Sequence, residues 1–343
     1  MVVRPRRLQP GDTVAVVSTS WGGPHAFPAV YRAGLDALER LGLVVREYPC
    51  TRRSASELRA DPAARAADLT AAFVDPSVAA IVASIGGDDS ARILRHLDAD
   101  VIRENPKVLM GYSDTITQLL FAHRSGLVTF HGPAVMAGLA QSPWFPTWVD
   151  HARAILFDPT PTYDYRPFPH WVDEYADWRH TDDPTAVGEL RPHDGWRWLN
   201  GDGPVRGRLV GGCIEVLEFL KGSRHWPSED WWDGRILFLE TSEERPTVEQ
   251  VRYWLFNYGV QGVFDRITGL VVGRARGYTD DQKRALDDAI RSVVLDEFGA
   301  DDVAILTNVD IGHTDPQWIV PLGVLAELHP AAGTFRLLEP AVD

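Results

Sequence analysis

Cysteine is scarce in this sequence. Only Cys50 and Cys213 occur in 343 residues, and neither belongs to a metal-binding or redox spacing. The H-E-x-x-H motif of zinc enzymes is missing, so no metal is indicated, although the loop from Asp310 to Asp315 could be drawn as a metal loop. So few cysteines are most simply interpreted as free thiols in a reducing, cytoplasmic setting.

Long apolar runs and excess positive charge are missing too. No apolar stretch approaches the roughly 20 residues that span a bilayer, and the basic segment from Arg4 to Arg7 is not followed by the apolar core of a secretion signal. The formal net charge is −14, so neither nucleic acid nor an anionic membrane surface would attract the chain. We therefore expect no nucleic-acid partner and no membrane partner.

The first part of the chain alternates between strand-like and helical patterns, beginning with a β-rich run at 13–18 and a predicted helix over 29–41. This alternation predicts an α/β fold with a largely parallel, doubly wound sheet covered by helices on both faces. Ligands of such sheets bind beyond the carboxyl ends of the strands. The predicted strand ends of interest are 18–23, 84–89, 111–114 and 131–133.

The composition changes near residue 141. Nine of the twelve tryptophans lie between Gln141 and Trp232, together with many prolines. We interpret the start of this region as a connector followed by loops that display aromatic residues. Regular structure returns in the C-terminal part, with further strand-like runs, a long helix predicted over 280–298 and a closing hairpin.

The segment VLMGYSDTITQLL combines a strand signal with a helix signal. Its apolar start predicts a short buried strand, and apolar residues at three- and four-residue spacing predict a helix from Asp114 to about Ser125. Ser113 then lies on the turn, beside backbone N–H groups without partners inside the helix. A hydroxyl there can be a nucleophile, because the same groups can stabilise an oxyanion. The alternative is a simple helix cap, since the G-x-S-x-G pattern fails at Thr115.

The segment SIGGDDS also follows a predicted strand. Gly86 and Gly87 would let a backbone N–H group approach a ligand at the start of the next helix. The segment is not G-x-G-x-x-G, so a dinucleotide site is poorly supported, and a second oxyanion donor facing Ser113 suits it better. The alternative is a tight turn with Asp88 as the helix cap.

A nucleophilic serine needs a base, and the base needs a carboxylate that orients it. Among eleven histidines, His131 and His313 directly follow buried-looking strands. Glu240 ends the apolar run RILFLE, which places a charge at the edge of a core. Structural roles for both histidines, a solvated strand end for Glu240 and a glycosidase-like carboxylate pair all stay open at this point.

Four separated segments, ASIGGDDS, VLMGYSD, ILFLETSEE and DIGHTDPQWIVPLG, together resemble the LD-carboxypeptidase family of serine peptidases in order and spacing. Within that family, the likeness to the microcin C self-immunity branch is the closer one. The resemblance runs over essentially the whole chain. It implies a triad of Ser113, Glu240 and His313, with the backbone N–H groups of Gly87 and Asp114 as the oxyanion hole.

The change of composition near residue 141 and the return of regular structure divide the chain into domains, to which the resemblance assigns the triad residues. The nucleophile belongs to an N-terminal domain over 1–140, and a Trp- and Pro-rich connector with a substrate loop follows over 141–195. The C-terminal α/β domain over 196–343 has a β-rich, barrel-like core and carries the glutamate and the histidine. The active site lies in the cleft between the domains, His131 supports it without being the base, and the family likeness suggests a homodimer.

Two positions depart from the pattern of many relatives. Cys213 stands where many members have an asparagine, which puts a substrate contact in doubt. Thr314 follows the histidine, as in the microcin-immunity branch, where murein-processing members often have glycine.

The expected function is that of a cytoplasmic, cofactor-free serine carboxypeptidase-type hydrolase that acts on a small peptide or peptidyl-nucleotide. Thr314 and the tryptophans favour cleavage of an aspartyl-nucleotide amide, because a purine stacks well on exposed indoles. The alternatives are a murein tetrapeptide LD-carboxypeptidase, a hydrolase of an unrelated amide or ester, and a non-catalytic two-domain binding protein. The tryptophans in question, which could also simply pack the domain interface, are Trp171, Trp178, Trp196 and Trp198.

Overall fold

A computed structural model of the chain describes residues 2–343. Its strands are β1 (Thr13–Val17), β2 (Val44–Glu47), β3 (Val78–Ala83), β4 (Val108–Gly111), β5 (Thr129–His131), β6 (Tyr163–Asp164), β7 (His170–Trp171), β8 (Arg191–Pro192), β9 (Arg197–Asn200), β10 (Val205–Cys213), β11 (Arg235–Glu240), β12 (Gly269–Gly273), β13 (Ala304–Val309), β14 (Val320–Leu322), β15 (Leu325–His329) and β16 (Thr334–Leu337).

The α-helices lie mainly between consecutive strands of the two large sheets. They are α1 (Gly23–Ala26), α2 (Pro28–Arg40), α3 (Ala55–Ala60), α4 (Pro62–Val74), α5 (Ala99–Glu104), α6 (Ile116–Arg124), α7 (Pro146–Leu156), α8 (Ile214–Glu218), α9 (Val248–Val260) and α10 (Asp280–Arg291).

The first large sheet has six strands in the order β14-β5-β4-β3-β1-β2. The strands from β1 to β5 run parallel to one another, and β14 joins β5 in the antiparallel sense. Every residue of β3 and β4 is buried, as expected for parallel strands that are covered on both faces. The predicted, largely parallel N-terminal sheet is therefore confirmed.

The second large sheet has eight strands in the order β6-β16-β15-β10-β11-β12-β13-β9. The central strands β10 to β13 are parallel, and the flanking strands are antiparallel to their neighbours. This arrangement confirms a second α/β unit with a β-rich core. Within residues 2–343 the edge strands β6 and β9 do not pair with each other, so the core is an open sheet and not a closed barrel.

The two sheets are joined by more than the connector. Strand β14 comes from the C-terminal part of the chain, yet it completes the first sheet by pairing Val320 with His131. The segment just before β14 therefore has to pass the carboxyl ends of the first sheet's strands. That segment contains His313, so the chain path brings the C-terminal histidine towards the end of β4.

Local differences from the sequence predictions occur where turns replace helices. The helix predicted from Asp114 begins at Ile116, after a 3₁₀ turn over Ser113–Thr115. The helix predicted after Asp88 is a 3₁₀ helix over Ser90–His96. No helix formed by residues 2–343 is both long and apolar enough to cross a membrane.

Candidate active site

Ser113 lies on a strained turn between β4 and α6. Its backbone φ is +56°, a left-handed conformation that is uncommon for residues other than glycine and costs energy. The N-cap residue of the turn is Tyr112, not Ser113. The side chain of Ser113 lines a cleft of about 410 Å³. Such a turn at the end of a buried strand presents a hydroxyl to the cleft instead of using it to cap a helix.

The residue after Ser113 is tied to two neighbouring strand ends. The Oδ2 atom of Asp114 accepts hydrogen bonds from the Ser20 hydroxyl at 2.5 Å and from the N–H groups of Asp89 and Ser90 at 3.0 and 2.8 Å. The Ser90 hydroxyl donates in turn to the Asp114 carbonyl at 2.6 Å. Burial raises the pKa of Asp114, and these hydrogen bonds oppose the rise. The turn that carries Ser113 is thereby fixed from both sides.

Glu240 and His313 form a buried pair. Glu240 is the last residue of β11, and His313 lies in the loop after β13. The Nδ1 atom of His313 is 2.7 Å from Glu240 Oε2. Gly312 has φ +95°, and a Cβ at this position would lie 2.4 Å from Glu240 Oε2, so a glycine is needed for the loop to approach the carboxylate. Nδ1 is engaged with Glu240, and the second ring nitrogen, Nε2, lies 3.0 Å from Glu243 Oε2.

His131 lies behind Glu240, away from the cleft. Its Nε2 atom is 3.6 Å from Glu240 Oε1, which is too far for a hydrogen bond. Its ring packs edge-on against Phe238 and Tyr112, with centroids 5.3 and 6.2 Å away. Neither ring nitrogen of His131 has a hydrogen-bond partner among the described residues. Glu240 is thus flanked by two histidines, of which only His313 reaches the cleft.

In the pair of Glu240 and His313, each charged group stabilises the charge of the other. Burial alone would lower the pKa of His313, but the carboxylates of Glu240 and Glu243 outweigh it and raise that pKa to about 10. Burial would likewise raise the pKa of Glu240, and the facing histidines lower it to about 2. A carboxylate that stays ionised beside an imidazole can hold the ring in one orientation and stabilise the imidazolium.

Aromatic side chains form much of the cleft wall. Trp178 packs edge-on against Phe27 at 5.5 Å between ring centroids and stacks on Tyr175 at 6.0 Å. Trp21 lies 6.0 Å from Phe27 by the same measure. Arg276 adds a positive charge to this wall and Glu243 a negative one. The cleft therefore combines an aromatic face with two opposite charges beside Ser113 and His313.

Only some of the site residues predicted from the sequence line the cleft. The cleft is lined by Ser113, His313, Gly87 and Trp178. Glu240 lies directly behind His313, and Asp114 follows Ser113 in the chain. The other predicted substrate contacts lie elsewhere: Trp171 is buried under Arg274 and Lys283, Trp196 and Trp198 line a separate depression, and Cys213 is buried with its thiol 3.3 Å from Glu215.

The loop drawn as a possible metal site is used for internal contacts. Asp310 forms a buried ion pair with Arg274 at 2.9 Å. Asp315 accepts a hydrogen bond from the Tyr175 hydroxyl, and burial raises the pKa of Asp315 to about 6. The backbone of Asp315 also pairs with Val172. These contacts join the loop that carries His313 to the aromatic segment over 171–178, which contains Tyr175 and Trp178.

Sequence analysis overlooked two charged residues of the cleft, Glu243 and Arg276. Glu243 follows Glu240 by three residues in the loop after β11, and Arg276 follows β12 at the same edge of the sheet. The strand-end rule, applied to the first sheet, would have identified both in the second sheet. Trp21 belongs to the predicted strand end 18–23 and lines the cleft.

Comparison with known proteins gives a consistent result. Residues 14–132 match the model of the LD-carboxypeptidase N-terminal domain, and residues 206–328 match that of the C-terminal domain.

This chain is similar to three known proteins, among others. Microcin C7 self-immunity protein MccF of Escherichia coli is 27% identical over 92% of this chain and 90% of its own. A probable murein peptide carboxypeptidase of Bacillus subtilis is 27% identical over 96% and 93%. The crystal structure of an MccF-like protein from Streptococcus pneumoniae in complex with AMP has a TM-score of 0.83 and 27% identity, and covers 95% of this chain and 98% of that one.

Proposed function

The chain belongs to the LD-carboxypeptidase family of serine peptidases, and from that premise we propose that Ser113, Glu240 and His313 are its catalytic triad. The observation that carries the proposal is the 2.7 Å contact between His313 Nδ1 and Glu240 Oε2 at a cleft that Ser113 also lines. Ser113 is the nucleophile, His313 the general base, and Glu240 fixes the tautomer and orientation of the imidazole.

The proposed reaction has two steps. Neutral His313 accepts the Ser113 proton at Nε2 while the serine oxygen attacks the carbonyl carbon, and the same proton then passes to the leaving group. Water, activated by the same nitrogen, releases the acyl group from the serine.

The proposed oxyanion donors are the N–H groups of Gly87 and Asp114. Gly87 has φ +150° and lines the cleft, and a Cβ at that position would lie 2.3 Å from the Ser20 hydroxyl oxygen. A Cβ at Gly86 would lie 3.1 Å from Ser113 Oγ and 3.4 Å from Asp114 N. The backbone at Gly86 and the side chain of Ser113 therefore approach each other closely, as a site that binds an oxyanion requires.

We propose that the substrate is a small peptidyl-nucleotide whose acyl group, an aspartyl residue, is joined to the nucleotide by an amide. Trp178 supports this, because it is half-buried in the cleft wall and packs between Phe27 and Tyr175. A purine can stack on such a surface. The likeness to MccF and to an AMP-bound MccF-like protein agrees with it. The second candidate is a murein tetrapeptide, supported by the Bacillus subtilis relative.

The test is a mass-spectrometric assay of the purified protein on an aspartyl-sulfamoyl-adenosine and on an L,D-linked murein tetrapeptide. We expect cleavage of the nucleotide analogue, and a loss of at least about 10³-fold in kcat for Ser113→Ala. Ser125→Ala, at the end of α6, is the matched control and should act like wild type. Cleavage of the tetrapeptide alone would favour the second candidate. Undiminished activity in Ser113→Ala would refute the serine mechanism. Turnover of neither substrate would refute both substrate candidates and favour a hydrolase of an unrelated amide or ester.

The organisation of the molecule completes the proposal. We propose that the nucleophile domain covers 1–140, the connector 141–195 and the second domain 196–343, which the family matches over 14–132 and 206–328 support. Strand β14 of the second domain adds to the first sheet, and β6 of the connector adds to the second. We also propose a homodimer in the cytoplasm. Light scattering during size-exclusion chromatography would measure the mass, and a value near 38.1 kDa would contradict the dimer.

A further inference from the structure

A carboxylate blocks the atom of His313 that should accept the serine proton. Nε2 lies 3.0 Å from Glu243 Oε2, while Nδ1 is held by Glu240. The contact at Nε2 is an ion pair without the alignment of a hydrogen bond. The His313 side chain is 4% exposed and that of Glu243 52% exposed. A solvent-facing acid therefore covers a buried base.

This contact affects the protonation of the base. With a carboxylate at each nitrogen, the pKa of His313 is raised to about 10 although burial opposes the rise. An imidazolium cannot accept a proton, so His313 has to lose its Nε2 proton before catalysis. The groups that surround this pair are Glu240 from β11, His131 from β5, Tyr112 from the end of β4, Asp315 from the histidine loop, Glu243 from the loop after β11, and Arg276 from the loop after β12.

Arg276 supplies the opposite charge in the same cleft. Its Nε atom is buried without a hydrogen-bond partner, and within the described chain its guanidinium makes no ion pair. Burial would raise the pKa of Glu243, and the contacts with His313, together with the charge of Arg276, lower it to about 2. An ionised carboxylate and an unpaired guanidinium in one cleft are complementary to a ligand that carries an ammonium and a carboxylate.

We propose that Glu243 and Arg276 select substrates whose acyl residue carries both an ammonium and a carboxylate, and that the ammonium draws Glu243 away from His313. The inference rests on the proposed function, because it assigns the acyl specificity of that reaction. When Glu243 pairs with the ammonium, the imidazolium releases its Nε2 proton to water. The neutral Nε2 then accepts the Ser113 proton. Substrate chemistry and base activation are thereby coupled.

The kinetic test uses three probes that differ only in the acyl group: aspartyl-, succinyl- and alanyl-sulfamoyl-adenosine. The succinyl probe lacks the ammonium and the alanyl probe lacks the side-chain carboxylate. We expect wild type to lose at least about tenfold in kcat/KM on each deficient probe. Glu243→Gln should lose only the ammonium preference, and Arg276→Gln only the carboxylate preference. Glu244→Gln, which removes a neighbouring exposed charge, should behave like wild type. Equal rates of wild type on all three probes would overturn the selection.

The second measurement needs no turnover. Imidazole titrations followed by NMR, with the His313 signal assigned through His313→Asn, should show a lower pKa in Glu243→Gln than in wild type, and an unchanged one in Glu244→Gln. The acidic limb of kcat/KM should move to lower pH in Glu243→Gln alone. An unshifted titration would overturn the masking of His313. Absence of cleavage by wild type, by contrast, would refute the proposed function and with it the substrate selection.

Discussion

The two sides of the cleft hold their reactive groups by different physical means. On the first sheet, Ser113 is positioned by the hydrogen bonds that Asp114 receives from hydroxyl and N–H donors. On the second sheet, His313 lies between two carboxylates, of which Glu240 is buried and Glu243 faces solvent. Geometry controls the first side and ionisation controls the second. Substitutions on the first side should alter position, and those on the second should alter pH dependence.

Among the substitutions that test this difference between the two sides of the cleft, Glu240→Gln should have the largest effect. An amide keeps the shape of the carboxylate but not its charge, so the imidazole loses its orientation and the imidazolium its counter-ion. We expect kcat to fall by about 10²–10⁴-fold while the fold is retained. The measurement is kcat at the optimal pH of each variant, with circular dichroism as a check of folding.

Glu215→Gln is the matched control for Glu240→Gln. Glu215, in α8, is a partly buried acid near the end of β11, but it accepts a hydrogen bond from Ser242 N at 2.8 Å and makes no hydrogen bond or ion pair with His313. Its substitution should change kcat by less than about tenfold. Wild-type activity in Glu240→Gln would contradict the view that charge controls the second side of the cleft.

A smaller effect, of a different kind, is expected for Asp114→Asn on the first side. The amide keeps one acceptor oxygen for the three donors, and its NH₂ group replaces Oδ1, which has no partner among residues 2–343. The negative charge is lost, so the three charge-assisted hydrogen bonds weaken. We expect kcat to fall by about 10–10²-fold and the free energy of unfolding to fall by about 1–3 kcal/mol. Urea denaturation and steady-state kinetics are the measurements, with the exposed Asp88→Asn as control.

The pH profile separates Asp114→Asn from Glu243→Gln. Asp114 does not contact His313, so the acidic limb of kcat/KM should keep its wild-type position although the rate is lower. If the acidic limb of kcat/KM moved as far in Asp114→Asn as in Glu243→Gln, the two sides of the cleft would not be physically distinct.

Sequence patterns predicted one side of the site better than the other. The alternation of strands and helices located the end of β4, and the family likeness then suggested roles for Glu240 and His313. The positive φ of Ser113 could not be predicted, because it depends on the contacts that fix the turn. Glu243 and Arg276 were overlooked, because the approach of the two sheets determines which strand-end side chains converge. Composition alone could not tell Trp178 from Trp171, because it carries no information on burial.

The smallest effect is expected for Trp178→Ala, which belongs to neither reactive side. Trp178 lies in the cleft wall and contacts neither the triad nor Asp114, so its loss should weaken binding and leave the chemical step intact. We expect KM for the nucleotide probe to rise about tenfold with kcat within about twofold, because base stacking on an aromatic contributes about 1–3 kcal/mol. Trp178→Phe should recover part of the loss. Trp198→Ala, in the separate depression, is the control and should leave KM unchanged. The backbone pairing of Val172 with Asp315 joins the aromatic segment to the loop of His313. A fall in kcat with unchanged KM would show that the aromatic segment acts through this loop. The base would then be controlled by packing as well as by charge.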